Sequence, residues 1–382
     1  GLLAETANAL EVDRDVTPRI TLGGRIISSL DDVNQDSDPE AKGEINLEDS
    51  SLLLRFDKRM YKGGVAGAVI GLADASDDGK PETQFHELHA FYWNQNSRFT
   101  LGQTRLRNTL IELPLLRDDD FLTYSHVGSA SSNLEFDQIY AKQFAADWYV
   151  DKKIQSIGVW TGTRNSGINV GSAVGGFNSR GLTYAYQQPE DLLFVKRVRQ
   201  AGIMIDQQRV RTVSGKEEWM TAIIIGGEIN INRNPSANWS TAAQLISNQG
   251  VDGITLDEIK NSSTNTVSAR AAAKSNAFVG SFRYTDRTHL LTRWQASVNF
   301  AYKDYSDLSS ASQWSIAPTY VYRLGQGVDI LGQAIYTDFS SGLGDGSDTV
   351  VQLGIAFSLE SVFNDTIGTR DSILNLEHGY IN

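Results

Sequence analysis

Residues 290–303, LLTRWQASVNFAYK, alternate between apolar and polar side chains with a period of two. One face carries mainly apolar side chains, with aromatic rings near both ends: Leu290, Thr292, Trp294, Ala296, Val298, Phe300 and Tyr302. The other face carries polar side chains: Arg293, Gln295, Ser297, Asn299 and Lys303. Because successive side chains of a β-strand point to opposite sides, the segment is predicted to be a strand. Aromatic rings at both ends of the apolar face favour a strand that crosses a membrane.

The same alternation recurs along most of the chain. It predicts strands near residues 20–31, 45–57, 63–73, 83–94, 98–106, 135–145, 153–163, 180–188, 194–206, 217–231, 238–246, 274–285, 289–303, 313–323, 327–338 and 348–359. The segment 238–246 has the weakest pattern. The stretch 194–206 loses its phase near Gln200, which indicates a β-bulge or a shifted register.

The connections between these strands alternate between short and long. Short ones lie at residues 94–97, 286–288 and 324–326, and long ones at 32–44, 107–134, 164–179 and 247–273. Outer-membrane barrels have short periplasmic turns and long external loops. A sheet in a bilayer must also close, because unpaired strand edges find no water there. The sequence therefore predicts an all-β fold, a transmembrane antiparallel up-and-down barrel of about sixteen strands, wide enough for an aqueous channel.

Composition excludes several other classes of protein. There is no cysteine, so thiol nucleophiles and cysteine-ligated metals are excluded. The formal charge of −12 argues against a nucleic-acid partner. Mean hydropathy is −0.29, and no apolar run reaches the length of a spanning helix. The expected organisation is a periplasmic or lumenal lead at 1–18, a barrel at 19–359 and a C-terminal tail at 360–382, with any signal peptide already removed.

This layout resembles the general and substrate-selective diffusion porins of Gram-negative bacteria. The resemblance covers residues 19–359 by architecture and does not rest on a sequence motif. It implies a passive outer-membrane channel for small hydrophilic solutes, a homotrimer, and contact with outer-membrane lipid and lipopolysaccharide. It also implies that the third external loop, residues 107–134, folds into the lumen and narrows it, with residues 113–116 packing against the wall.

Charged side chains in the wall and the third loop are the candidates for setting selectivity, since pores select by diameter and by rings of charge. The wall candidates are Arg25, Arg55, Arg105, Arg197, Arg199, Arg283, Arg293 and Arg323. The loop candidates are Arg107, Glu112, Arg117, Asp118, Asp119 and Asp120. A basic wall facing Asp118–Asp120 is expected to create a transverse field that favours polar or anionic solutes. Alternatively, the arginines only pair with wall acids or extend to the membrane interfaces.

Signals for a metal, a cofactor or catalysis are weak. His86 and His89 are three residues apart on a predicted strand, so their rings are expected on opposite faces, unlike the helical zinc motif. The segment 74–79 resembles the start of a calcium loop, but Phe85 stands where the bidentate glutamate belongs. No ordered Ser/His/acid set is evident, so neither an enzyme nor a cofactor is expected.

Three other interpretations remain open at this point. The first is a substrate-specific uptake barrel, in which residues 2–10 or the C-terminal tail act as a plug. The second is a barrel hydrolase. The third is a soluble all-β binding or adhesion protein, in which period two separates core from surface instead of lipid from water.

Overall fold

The fold is taken from a computed structural model of the 382-residue chain. The structure describes residues 18–36, 43–46, 50–60, 63–74, 83–105, 110–111, 113, 140–150, 155–164, 175–188, 196–212, 214–251, 273–288, 291–306, 308–325, 327–343 and 345–363. Within these ranges almost all regular structure is β-strand, with one 3₁₀ turn at Ser341–Leu343. No helix in this part of the chain has the length and hydropathy needed to cross a bilayer.

The strands follow one another along the whole described chain. They are β1 (Arg19–Gln35), β2 (Glu44–Asn46), β3 (Ser51–Arg59), β4 (Val65–Asp74), β5 (Thr83–Trp93), β6 (Ser97–Arg105), β7 (Tyr140–Val150), β8 (Gln155–Arg164), β9 (Ser179–Gln187), β10 (Val198–Arg211), β11 (Glu217–Asn230), β12 (Ala237–Asn248), β13 (Ser275–Thr288), β14 (Leu291–Tyr305), β15 (Ser312–Gly325), β16 (Val328–Phe339) and β17 (Gly346–Phe363). Every predicted strand is present, including the weakest one at β12.

These strands close into a single antiparallel barrel. From β3 onward each strand pairs with the next, and β1 pairs with β17 from Ile20↔Phe363 to Gln35↔Asp348. β2 and β3 both lie along the same edge of β1, so together they occupy one position in the wall. The barrel therefore has sixteen strand positions, as predicted.

A serine maintains the wall where β2 gives way to β3. The backbone N–H of Ile27 donates to Ser50 Oγ at 3.0 Å, and the Ser50 hydroxyl donates to the Ile27 carbonyl at 3.2 Å. Both polar backbone groups of Ile27 are thus satisfied at a point where the neighbouring strand is interrupted. In a membrane such groups have no water as an alternative partner.

The distribution of side chains is the inverse of that in a soluble protein. On β14, Asn299 is 0% exposed, whereas its neighbour Val298 is 45% exposed. The same holds around the wall, where polar side chains are buried on the inner face and large apolar ones are exposed on the outer face. A soluble sandwich buries the apolar set. Period two therefore separates an apolar outer surface from a polar interior, which excludes the soluble interpretation.

Aromatic rings border the apolar outer surface. At the short-turn end, Trp239, Tyr284, Trp294 and Tyr320 form a row across β12–β15, with ring centroids 4.7, 4.8 and 6.0 Å apart in turn. Trp294 and Tyr302 lie eight residues apart on β14, which is about 27 Å along a strand at ~3.4 Å per residue. A tilt of roughly 40° reduces this to roughly 21 Å across the membrane, close to the apolar band of about 25 Å in such barrels.

A β-bulge at Arg293 reverses the faces that the sequence pattern predicts for the first residues of β14. Asp286 pairs with Trp294 but Arg287 pairs with Thr292, so Arg293 is an extra residue without a partner in the ladder. Thr292 is consequently buried on the inner face, and the side chain of Arg293 is 60% exposed on the outer face, 3.9 Å from Asp286. Sequence alternation alone had predicted the reverse, with Thr292 on the apolar outer face and Arg293 on the polar inner face.

Other boundaries differ from the predicted ones by a few residues. The register of β10 shifts between Val198 and Gln200, where the sequence pattern loses its phase. β7 begins at Tyr140, five residues after the predicted start. β17 continues to Phe363, so the described barrel extends past the predicted limit at residue 359.

The three longest connections, residues 106–139, 165–178 and 249–274, lie at one end of the barrel. Residues 36–43, 75–82, 106–139, 165–178 and 249–274 connect strands at that end, which we call the long-loop end. The opposite, short-turn end has connections as brief as 289–290 and 326–327, and its longest is 188–197. This matches the predicted alternation, with the long-loop end corresponding to the cell exterior in outer-membrane barrels.

A charge placed on the outer face tests whether that face contacts lipid. Val298→Arg, near the middle of the outer belt, should destabilise the barrel by roughly 2–4 kcal/mol, because the guanidinium enters hydrocarbon. Leu324→Arg, at the short-turn end, is the matched control and should cost roughly 1 kcal/mol or less. Denaturant titration in phospholipid vesicles measures both. Equal costs at the two depths would contradict a lipid-facing belt.

Candidate functional site: the inner face of the barrel

One charged cluster on the inner face lies where β1 and β3 approach the short-turn end. Asp57 accepts two hydrogen bonds from Arg19, at 2.8 and 2.6 Å, and its Oδ2 lies 2.8 Å from Arg55 Nε. The guanidinium of Arg55 also stacks 5.0 Å from the centre of the Phe91 ring. The bidentate geometry holds one carboxylate between two cations, the arrangement in which an arginine ion pair is strongest.

A second cluster, which we call the arginine cluster, consists of Arg199, Arg283, Arg287 and Glu228. Glu228 forms an ion pair with Arg199, and its Oε1 lies 3.9 Å from Arg283 Nη1. Arg287 lies two inward positions beyond Arg283 on β13, past Thr285 and nearer the short-turn end. Three guanidinium groups and one carboxylate give this cluster a formal charge of +2.

Small side chains on β12 explain how the arginine cluster forms. β12 separates Glu228 on β11 from Arg283 on β13, and it presents Ser240 and Ala242 to the inner face at this height. Because neither side chain is large, Arg283 extends across β12 to reach Glu228. A larger residue at position 242 would block this contact. The distance between Glu228 and Arg283 therefore depends on the side chains of β12 as well as on β11 and β13.

Nearer the long-loop end the inner face becomes apolar. Met204, Ile224, Ile246 and Ala277 are successive ladder partners on β10–β13, and all four point inward. The apolar inner row continues through Ile335, Val350 and Val33 on β16, β17 and β1. Such a row provides a surface on which apolar side chains inside the barrel can pack.

Part of the connection after β6 packs on this apolar row. Ile111 is completely buried and Leu113 nearly so, in the same cluster as Met204 and Ile224. The backbone N–H of Leu110 donates to Gln244 Oε1 at 2.7 Å, and Gln244 points inward from β12. These three residues belong to the segment that was predicted to fold inward, and they lie against the inner wall.

Most of the wall arginines proposed from sequence point into the barrel. They are Arg25, Arg55, Arg199, Arg283 and Arg323. Arg323 forms an ion pair with Asp329 at 3.0 Å. Arg197 was assigned to the wall, but β10 begins one residue after it. Its side chain is therefore exposed in the turn before β10. Arg293 is carried to the outer face by its bulge.

The loop candidates lie outside the described residues. They are Arg107, Glu112, Arg117, Asp118, Asp119 and Asp120. Arg105 ends β6 and pairs with Tyr140 through the backbone, but its side chain also lies outside the description.

Sequence reasoning missed four residues of the inner clusters: Arg19, Asp57, Glu228 and Arg287. Asp57 follows Arg55 by two residues, so period two places it on the same face as a candidate already chosen. Arg287 was assigned to a turn, whereas β13 extends to Thr288. Arg19 meets Asp57, and Glu228 meets Arg199 and Arg283, across different strands, so the register between strands brings these charges together.

The two motifs considered as metal sites are only partly described. Glu87 and His89 both point inward from β5, with His89 Nδ1 3.7 Å from Glu87 Oε2. The side chain of His86 and residues 75–82 of the calcium-like segment lie outside the description. Among the described residues, no three His, Asp or Glu side chains are grouped to hold a metal ion.

Comparison with known proteins identifies the fold. No protein-family profile matches the chain, and no curated protein sequence matches it. Among solved structures it is similar to the outer-membrane channel DcaP of Acinetobacter baumannii, with 12% identity, a TM-score of 0.61, and coverage of 89% of this chain and 97% of that one. The chain has the porin fold.

Two further structures agree with that assignment. The anion-selective porin of Comamonas acidovorans shares 15% identity at a TM-score of 0.61, covering 90% of this chain and all of that one (100%). The trimer form of OmpT, an outer-membrane protein of Vibrio cholerae, shares 9% identity at a TM-score of 0.57, covering 89% and 99% respectively. The porin fold is therefore preserved while almost every side chain differs.

The contact between Gln244 and Leu110 can be tested within this porin fold. Gln244→Ala leaves a part-buried N–H without its acceptor, which costs about 1–3 kcal/mol and should speed hydrogen exchange at Leu110 roughly ten- to hundredfold. Hydrogen–deuterium exchange mass spectrometry of the detergent-solubilised protein measures this. Gln333→Ala is the control, since Gln333 bonds the wall residues Thr319 and Gln352. Unchanged exchange in Gln244→Ala would contradict the contact.

Proposed function

We propose that the protein is a passive diffusion channel for small hydrophilic solutes in the outer membrane of a Gram-negative bacterium. The observation that carries this proposal is the inverted barrel, with a closed hydrogen-bonded wall, an apolar outer belt and charged inner clusters. A barrel with sixteen strands in its wall encloses a lumen wide enough for water and small solutes. The charged clusters favour hydrophilic over hydrophobic solutes at their height in the lumen.

An anion preference is the finer part of the proposal. The arginine cluster has a formal charge of +2 on the inner face, although the whole chain carries −12. Selectivity depends on the charge that a permeating ion meets locally, so the net charge of the chain does not decide it. The similar porin of Comamonas acidovorans is described as anion-selective, which supports this choice.

We also propose that the segment 107–134 forms the constriction. The anchoring of Leu110, Ile111 and Leu113 on the inner wall supports this, because the segment enters the lumen at those residues. Under this proposal, charged residues farther along the segment, Asp118–Asp120 among them, would face the lumen.

A homotrimer in contact with outer-membrane lipid and lipopolysaccharide completes the proposal. The similar OmpT structure is of a trimer form, which supports the same assembly here. We propose transport without catalysis, which the similarity to an outer-membrane channel and an anion-selective porin supports.

A gated or plugged uptake barrel is the second candidate, and a specific observation favours it. Gln244, Asn299 and Lys303 point inward yet are 0% exposed. Side chains that line an open aqueous lumen keep part of their surface accessible to water. A covered wall at this height is expected if the lumen is closed until a substrate or a conformational change opens it.

Planar-bilayer recordings test the channel and its selectivity together. Under a salt gradient, the reversal potential of the wild type should show anion preference. Glu228→Gln should raise that preference, because it removes the only carboxylate of the arginine cluster. Arg199→Gln combined with Arg283→Gln should lower it several-fold.

Arg293→Gln is the control for these recordings, since its guanidinium lies on the outer face and meets no permeating ion. It should leave the reversal potential unchanged. Cation preference in the wild type would contradict the anion assignment. Absence of conductance in protein that is shown to be inserted would contradict the passive channel and favour the closed uptake barrel.

A further inference from the structure

A groove of about 500 Å³ lies in the outer face of the barrel across β7–β10, towards the long-loop end. Its sides are formed by Phe144, Val159, Leu182 and Ile205, which all point outward. These side chains belong to the apolar belt, so the groove opens to the region occupied by lipid chains. It is therefore separate from the inner-face clusters.

The ladder register explains the shape of this groove. Phe144 pairs with Thr161, Thr161 with Arg180, and Arg180 with Gln207, so one row of outward residues crosses four strands. The short Thr161 follows the large Phe144 ring in that row. On the opposite side of the wall, Trp160 lies over Gly181, so neither contributes a side chain that fills the groove.

Arginine side chains surround the end of the groove nearer the long loops. Arg180 Nε donates to Gln207 Oε1 at 2.7 Å, and its guanidinium stacks 4.2 Å from the centre of the Trp219 ring. Arg209 lies 5.9 Å from the same ring and donates to the Gly175 carbonyl at 2.9 Å. Two guanidinium groups thus flank one indole at the border of the apolar belt.

Among the described residues, the charge at this border is positive. Arg211 joins Arg180 and Arg209, and Glu217 is shared between Arg209, at 3.7 Å, and Arg211. Lys216 and Glu218 neutralise each other in an ion pair. Arg180 is held by the neutral Gln207 and the face of Trp219, so its positive charge remains available to an anion.

This border differs from a neighbouring part of the same end of the barrel. Across β15–β16 the apolar belt ends at the long-loop end in the aromatic rings of Trp314 and Tyr336, whereas across β9–β11 it ends in guanidinium groups directly above an apolar groove. Guanidinium groups bind phosphate through parallel hydrogen bonds. Basic pockets beside membrane-spanning segments bind the head groups of anionic lipids.

We propose that this groove is a binding site for a phosphate-bearing acylated lipid of the outer leaflet. The acyl chain lies between Phe144, Val159, Leu182 and Ile205, and the phosphate is bound by Arg180 and Arg209. Trp219 fixes the position of both guanidinium groups at the level of the head groups. The site requires the barrel to span the membrane but does not depend on what passes through the lumen.

Native mass spectrometry of the detergent-solubilised protein, titrated with bisphosphorylated lipid A, tests the proposal. Arg180→Gln combined with Arg209→Gln should raise the apparent Kd at least about tenfold, the effect of losing one charge-assisted hydrogen bond. Leu182→Trp should weaken binding similarly, because the larger ring fills the groove without changing the charge. Arg293→Gln, an exposed outer-face arginine at the opposite end, should bind like the wild type.

Two further ligands distinguish the sources of affinity. Lipid A with both phosphates removed should bind at least about tenfold more weakly than the bisphosphorylated form. Inorganic phosphate should not displace lipid A at matched concentration, because it makes no contact with the groove. Equal binding by the dephosphorylated lipid, displacement by free phosphate, or equal losses in Arg293→Gln would overturn the proposal.

Discussion

Closure of the backbone hydrogen-bond ladder is the constraint on which the rest of the structure depends. β1 and β17 come from opposite ends of the described chain, yet they pair over their full common length, from Ile20↔Phe363 to Gln35↔Asp348. Without that pairing two strand edges would face lipid with unsatisfied N–H and C=O groups. The hydroxyl of Ser50 shows the same constraint locally, since it bonds Ile27 where a neighbouring strand is interrupted.

Once the sheet is closed, each wall residue faces either lipid or the lumen, and that choice decides its chemistry. Asn299 and Val298 are adjacent in sequence, yet one is buried inside and the other exposed to the membrane. The inner face can therefore concentrate charge at Asp57 and Glu228 without exposing it to hydrocarbon. The outer face remains apolar except at its borders, where aromatic and basic side chains meet the head groups.

The fold was largely predictable because period two is a local property of the sequence. Sixteen strand positions follow from it, with boundaries within about five residues even at β7. The candidate site was only partly predictable. Arg199 and Arg283 were identified as wall residues, but Glu228 and Arg287 were not, since the cluster depends on register across four strands. The register shift near Gln200 was visible as a loss of phase, whereas the bulge at Arg293 was not, because only two residues of β14 precede it.

Three arginines show how far register determines the role of a side chain in this barrel. Arg199 points inward and pairs with Glu228, where it affects solutes in the lumen. Arg180 points outward at the end of the apolar belt, where the surrounding chemistry suits a lipid phosphate. Arg293 would have joined the inner set but for one extra residue in its strand, which places it outside beside Asp286. Residue type supplies the charge, but the position in the ladder decides whether solute, lipid or water meets it.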